Sequence, residues 1–230
     1  MSSFLENSIF FGVFLSVFSY GIGLLLKNKF KSSIFNPLLI SIAIIIGFLL
    51  IFDVDYEKYN EGAKYLSYFL TPATVCLAIP LYEKFSLLLK NAKAILIGVL
   101  SGALTSLLMV FVLGLLFNLS HESYVTLLPK SITSAIAIAV VEELGGYPPI
   151  IVTIVLITGV LGNMVAVSIC KLFRITEPIA KGIAIGTSSH AMGTTKAMEI
   201  GEVEGAMSGL AIVVAGILTV IFIGLFEHFI

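Results

Sequence analysis

The sequence predicts an all-α polytopic membrane protein, with about six transmembrane helices plus two opposed re-entrant hairpins. Three observations predict it. The chain is 58% hydrophobic and only 12% charged over 230 residues, with a mean hydropathy of +1.10. Uncharged runs of about 18 or more residues recur, the length that crosses roughly 30 Å of hydrocarbon. Two polar, Pro- or Gly-broken stretches interrupt them, around Lys130 and over Gly186–Lys196. Such backbone is tolerated at membrane depth only when buried in protein or lining a watery cavity. The whole chain, 1–230, reads as one integral membrane domain. Four spans lie within 8–117, then come a hairpin at 127–144, a span at 149–170, a hairpin at 182–200 and a span at 206–226.

The elements follow from apolar length and from loop charge. The first span, Ser8 to Leu26, is followed by Lys27, Lys29 and Lys31. It lacks a basic leader and is expected to be a retained helix rather than a cleaved signal, and no transit-like Arg/Ser-rich segment precedes it. The second runs from Phe35 to Phe52 and ends in the acidic loop Asp53–Glu61. The third, Leu66 to Leu81, is shorter and holds Pro72 and Pro80. Lys84, Lys90 and Lys93 follow it, and the fourth span is Ala94 to Phe117. Loops rich in Lys and Arg stay in the cytoplasm, so both termini are expected outside.

The span Pro149–Cys170 ends in Lys171, Arg174 and Lys181, and so runs from outside to inside. The segment 127–144 lies between an outside loop and an outside helix start, and one crossing there would break the charge rule. A hairpin dipping in from outside satisfies it, and 182–200 dips in from inside by the same reasoning. The alternative has both segments crossing, giving about eight broken spans. A short broken segment precedes a long Gly-containing span three times, a pattern that suits inverted-repeat transporters.

Candidate site residues cluster in the broken segments. In Leu128-Pro129-Lys130-Ser131-Ile132-Thr133-Ser134, proline suits a helix start and the hydroxyls can cap it. First-turn N–H groups beside the Lys130 charge make an anion site; otherwise Lys130 snorkels to the surface. In the second stretch Thr187, Ser188 and Ser189 give donors, Gly186 and Gly193 allow close backbone approach, and Thr194 and Thr195 can cap a second short helix that starts near Lys196. His190 either relays a proton or packs between helices. Lys196 either meets a substrate carboxylate or pairs with Glu199 or Glu202. Thr71, Pro72 and Thr74 either line or gate the path or kink a helix. Asn163 is a lining residue or bonds a neighbouring helix. Gly98-x-x-x-Gly102 and Gly205-x-x-x-Gly209 read as close-packing faces. Cys76 and Cys170 are expected to be buried, inert thiols.

Enzyme motifs are absent: there is no nucleophile elbow, no H-E-x-x-H and no P-loop. No cofactor or metal is expected, coupling to a proton or other ion is left open, and no basic tract suggests nucleic acid.

The segments Leu128–Ser134, Glu142–Gly146, Thr71–Tyr82 and Gly182–Gly205 together resemble the LrgB/CidB family over nearly the whole chain. The resemblance implies one of two roles. Some members are antiholin-like or holin-like proteins, linked to murein hydrolase control and cell lysis alongside an LrgA/CidA-like membrane partner. Others are carriers of small carboxylates such as pyruvate, glycolate or glycerate. The residues favour the carrier, because a pore has no need of two opposed, cation-bearing hairpins. The expectation is therefore alternating-access transport of a small monocarboxylate (pyruvate, glycolate or lactate) bound between the two breaks, in a protein that forms homo-oligomers in the bilayer.

Overall fold

The computed structural model describes residues 10–30, 35–69, 72, 75–76 and 78–230, except for the side chains of 78, 80 and 81. Among the described residues it is all helical. The chain divides into two compact units, Met1–Cys76 and Leu77–Ile230.

The first unit holds α1 (Phe10–Phe30), α2 (Pro37–Ile51), α3 (Tyr56–Ala63) and a 3-10 turn, Lys64–Phe69. α2 starts where Asn36 Oδ1 accepts from the Leu38 and Leu39 N–H groups, at 2.9 and 3.4 Å, and Pro37 occupies a first-turn position where no N–H is missed. Phe11, Leu15 and Val54 form its core with Phe48 and Tyr59. The hydroxyls of Ser16 and Tyr59 share a hydrogen bond at 2.7 Å.

The second unit holds α4 (Ala78–Glu83), α5 (Phe85–Lys90), α6 (Ala92–Phe117), α7 (His121–Leu127), α8 (Ser134–Glu143), α9 (Pro148–Leu172), α10 (Pro178–Ile200), α11 (Glu202–Phe226) and a closing 3-10 turn, Glu227–Phe229. α6 and α11 run parallel. Ile95 and Val99 near the start of α6 pack on Ala206 and Met207, and Leu107 and Val110 near its end pack on Ile223 and Phe226. Near that same end Tyr124 Oη donates to the Phe226 carbonyl at 2.9 Å.

α9 runs the opposite way, and each of its ends meets one broken segment. At its start, the Tyr147 N–H donates to Thr126 Oγ1 at 2.8 Å, so the chain leaves Thr126, passes through the break and α8, and returns to where it left. At its far end, Lys171 and Arg174 share one cavity with Lys181, near the start of α10, and with Ile200, its last residue. Lys84 reaches this end too, with its Nζ 3.1 Å from Glu202 Oε2. The opposite end carries His121, Glu122, Glu142, Glu143 and Glu227 and, among the described residues, no Lys or Arg.

Among the described residues, four helices are long and apolar enough to cross a bilayer: Phe10–Phe30, Ala92–Phe117, Pro148–Leu172 and Glu202–Phe229. Two of the expected spans differ. The second is a 15-residue helix, about 22 Å long at 1.5 Å per residue. The third, expected over Leu66–Leu81, is not one helix. Its described residues start in the 3-10 turn Lys64–Phe69, are helical at 72, 75 and 76, and end in the helix Ala78–Glu83. Cys170 is buried as expected, whereas Cys76 is exposed.

Candidate functional site

α10 is two helical arms joined at His190, whose backbone sits at φ 42°, ψ −138°. A non-glycine residue in that region costs on the order of 1–3 kcal/mol and persists only when its surroundings over-determine it. The arms fold back on each other. A methyl group on Gly193 would stand 2.9 Å from the Ile185 carbonyl oxygen and 2.6 Å from Ser189 Cβ, contacts that a continuous helix eight residues long could not make. The first arm runs along α11 in the same direction: methyls on Gly182 and Gly186 would meet Met207 and Ala211. The second runs against it, with Thr194 and Ser208 sharing a hydroxyl bond at 2.7 Å.

The turn is held from α9. His190 Nε2 lies 3.0 Å from the Val155 carbonyl oxygen and so carries the proton of that bond. Gly159 and Gly162 make room for it, since a methyl on either would collide with the His190 ring or the Ser189 side chain. Asn163 Nδ2 donates to the Met192 carbonyl at 2.7 Å and to Thr195 Oγ1 at 3.2 Å. The second arm begins at Ala191 and not near Lys196, because Thr194 sits inside it and donates to the His190 carbonyl at 3.0 Å.

The first break, 128–133, is held differently. Turn bonds run from the Lys130 N–H to the Leu127 carbonyl and from the Ile132 N–H to the Pro129 carbonyl, both 3.2 Å. Thr133 takes the N-cap position of α8 in extended conformation, but its side chain makes no cap bond.

A cavity of about 470 Å³ joins the two broken segments along one face of α6. Lys130 and Ser131 come from the first, Ala184, Thr187 and Ser188 from the first arm of α10, and Gly98, Ser101, Gly102, Thr105, Ser106 and Met109 from α6. Among the described residues, no carboxylate lines it. Lys130 Nζ donates to Ser131 Oγ at 3.1 Å, and the Ser131 and Ser106 hydroxyls share a bond at 2.9 Å. That chain fixes the ammonium on one side and leaves its other protons for a ligand. Thr187 is 7% exposed and its Oγ1 has no hydrogen-bond partner. A buried hydroxyl without a partner costs on the order of 1–3 kcal/mol, and a side-chain rotation that brings it to an acceptor in the cavity would relieve that cost. Ser188 Oγ donates to the Ala184 carbonyl at 2.7 Å.

The cavity thus unites four of the expected residues: Lys130, Ser131, Thr187 and Ser188. Thr133 and Ser134 do not line it, and neither do His190, Thr194 or Asn163, which brace the turn of α10. Lys196 lies elsewhere, with its Nζ 2.8 Å from Glu199 Oε2, the ion-pair alternative for that residue. Thr71 and Thr74 lie outside the described residues, and Pro72 belongs to the first unit. The α6 face was missed. Its signal is present in the sequence: Gly98, Ser101, Gly102, Thr105, Ser106 and Met109 follow the i, i+3, i+4, i+7 spacing of one helix face.

In electrostatic terms the cavity offers one ammonium and a serine pair beside Thr187, and among the described residues no negative group faces them. That arrangement suits a small monoanion.

Comparison with known proteins adds a family. The chain matches the LrgB-like family over residues 16–229. It is 38% identical over 222 residues to a Bacillus cereus (strain B4264) protein named antiholin-like protein LrgB, covering 96% of each chain. It shows the same identity and coverage to the protein of that name from Bacillus anthracis (strain CDC 684 / NRRL 3495). No solved structure matches significantly.

Proposed function

The chain belongs to the LrgB-like family of membrane proteins, and from that premise we propose that it is a carrier of small monocarboxylates such as pyruvate, glycolate or lactate. The single observation behind this reading is the acid-free cavity that holds Lys130 between the two broken segments. The carboxylate would meet the Lys130 ammonium, with Ser131 and Thr187 donating beside it. Each broken segment begins and ends at one end of α9, which supports reading both as re-entrant, one from each face. With the Lys- and Arg-rich end of α9 in the cytoplasm, the first would enter from outside and the second from inside, leaving both chain termini outside a bacterial inner membrane. Transport would be alternating access, with the hairpins moving against α6 and α11. A proton or another ion is the proposed coupling partner, and no further cofactor or enzymatic step belongs to this scheme.

A second reading is an antiholin-like membrane protein that modulates murein hydrolase activity and cell lysis with an LrgA/CidA-like partner. The printed names of the relatives speak for this reading more directly than for a carrier.

Counterflow in proteoliposomes separates the two. A carrier gives saturable uptake of labelled pyruvate or glycolate that unlabelled substrate competes away. Leakage of an unrelated dye at a comparable rate gives a pore. Uptake only when the LrgA-like partner is co-reconstituted gives a regulated two-component system. Altered murein hydrolase activity in a deletion strain, without any uptake in either preparation, gives the antiholin-like role alone.

A further inference from the structure

A second cavity, of about 460 Å³, lies at the basic end of α9 and shares no residue with the Lys130 cavity. Its floor is apolar: Val167, Cys170, Ile175 and Ile200. Its cations are Lys171, Arg174 and Lys181, and among the described residues no carboxylate lines it. Arg174 sits just beyond the end of α9 at φ 54°, and the Ile175 N–H closes the turn onto the Cys170 carbonyl at 2.8 Å.

An apolar floor under a cationic rim suits an amphiphile. A freely soluble anion gains nothing from the apolar wall, whereas a lipid places its phosphate among the cations and its glycerol and first methylenes on the floor. The position agrees, because the cavity lies where a long apolar helix ends among Lys and Arg, the level of a headgroup layer. We propose that this cavity binds the headgroup of an anionic phospholipid. Lys181 stands near the start of α10 and Ile200 is its last residue, so the lipid spans the base of the folded-back pair and ties it to α9. The site is independent of the transport reading.

The test is thermal unfolding of the purified protein in a neutral detergent. Dioleoyl-phosphatidylglycerol is expected to raise the unfolding temperature by several degrees, dioleoyl-phosphatidylcholine is not, and inorganic phosphate is expected to reproduce little of the shift. Lys171→Gln, Arg174→Gln and Lys181→Gln combined should abolish the phosphatidylglycerol shift. Lys90→Gln with Lys93→Gln, cations that do not line the cavity, should preserve it. If the triple variant fails to fold, Arg174→Gln and Lys181→Gln singly should each weaken the apparent affinity about tenfold, the effect of one charge-assisted contact. Equal shifts from the two lipids, an undiminished shift in the cavity variants, or a full shift from inorganic phosphate would each overturn the proposal.

Discussion

The two broken segments of the second unit look alike in composition and differ in what holds them. Each offers a lysine, hydroxyls and a backbone break. Around Lys130 the break is set by short turn bonds, and the side chain opens into the cavity beside Ser131. Around His190 the break is clamped: the ring bonds to Val155, Thr194 bonds to Ser208, and Asn163 ties down Met192. The second break therefore presents only its first arm to the cavity, through Thr187 and Ser188, while the His190 ring is bonded within the fold. Polar residues at membrane depth serve two ends, meeting a ligand or fixing a fold, and hydrogen-bond satisfaction separates them. Thr187 lines the cavity and keeps an unmet, buried hydroxyl, whereas Thr194 is bonded twice and does not line it.

Four substitutions test that contrast. Lys130→Gln should lower monocarboxylate affinity by about 10- to 100-fold, since a charge-assisted bond contributes roughly 1.5–3 kcal/mol. The unfolding temperature should barely move, and counterflow across a substrate titration reads the change. His190→Ala should do the reverse. Losing the Val155 bond and the ring that fills the space at Gly159 should cost about 2–4 kcal/mol of stability, visible as a lowered unfolding temperature, while substrate affinity in the folded fraction holds. A large affinity loss there without destabilisation would place His190 at the substrate and dissolve the contrast.

Thr187→Val removes the unmet hydroxyl with little change of shape. Stability should stay level or rise by about 1 kcal/mol, while affinity falls several-fold by isothermal titration. Unchanged affinity would take Thr187 out of the site. Lys196→Met breaks a partly exposed i, i+3 pair with Glu199, worth about 0–1 kcal/mol. Transport by this variant should match that of the parent protein, and a severe defect would bring the second break back into ligand contact.

The difference between the breaks also governs how much of the site was legible. Lys130 stood out because a lone cation between apolar runs has few structural uses. The α6 face went unread because its hydroxyls sit inside a helix that hydropathy alone assigns as a span. Ser101 and Thr105 donate to backbone carbonyls one turn back, as small hydroxyl residues do in any membrane helix. His190 and Lys196 were ambiguous for a related reason. A histidine or lysine beside hydroxyls has the same local sequence whether it meets a ligand or a neighbouring helix, and only the residue opposite decides.

Local sequence is enough to establish a helical membrane protein of the LrgB-like family and the places of its polar breaks. Hydrophobic length and loop charge are properties of consecutive residues. It also gave the prolines that open α2, α9 and α10, since proline fixes φ locally. Tertiary structure decided which polar groups remain free. The glycines of α9 admit the His190 turn, α11 bonds Thr194, and α6 closes the cavity around Lys130. Hydrogen-bond satisfaction is a property of pairs brought together from distant parts of the chain, and no local pattern contains it.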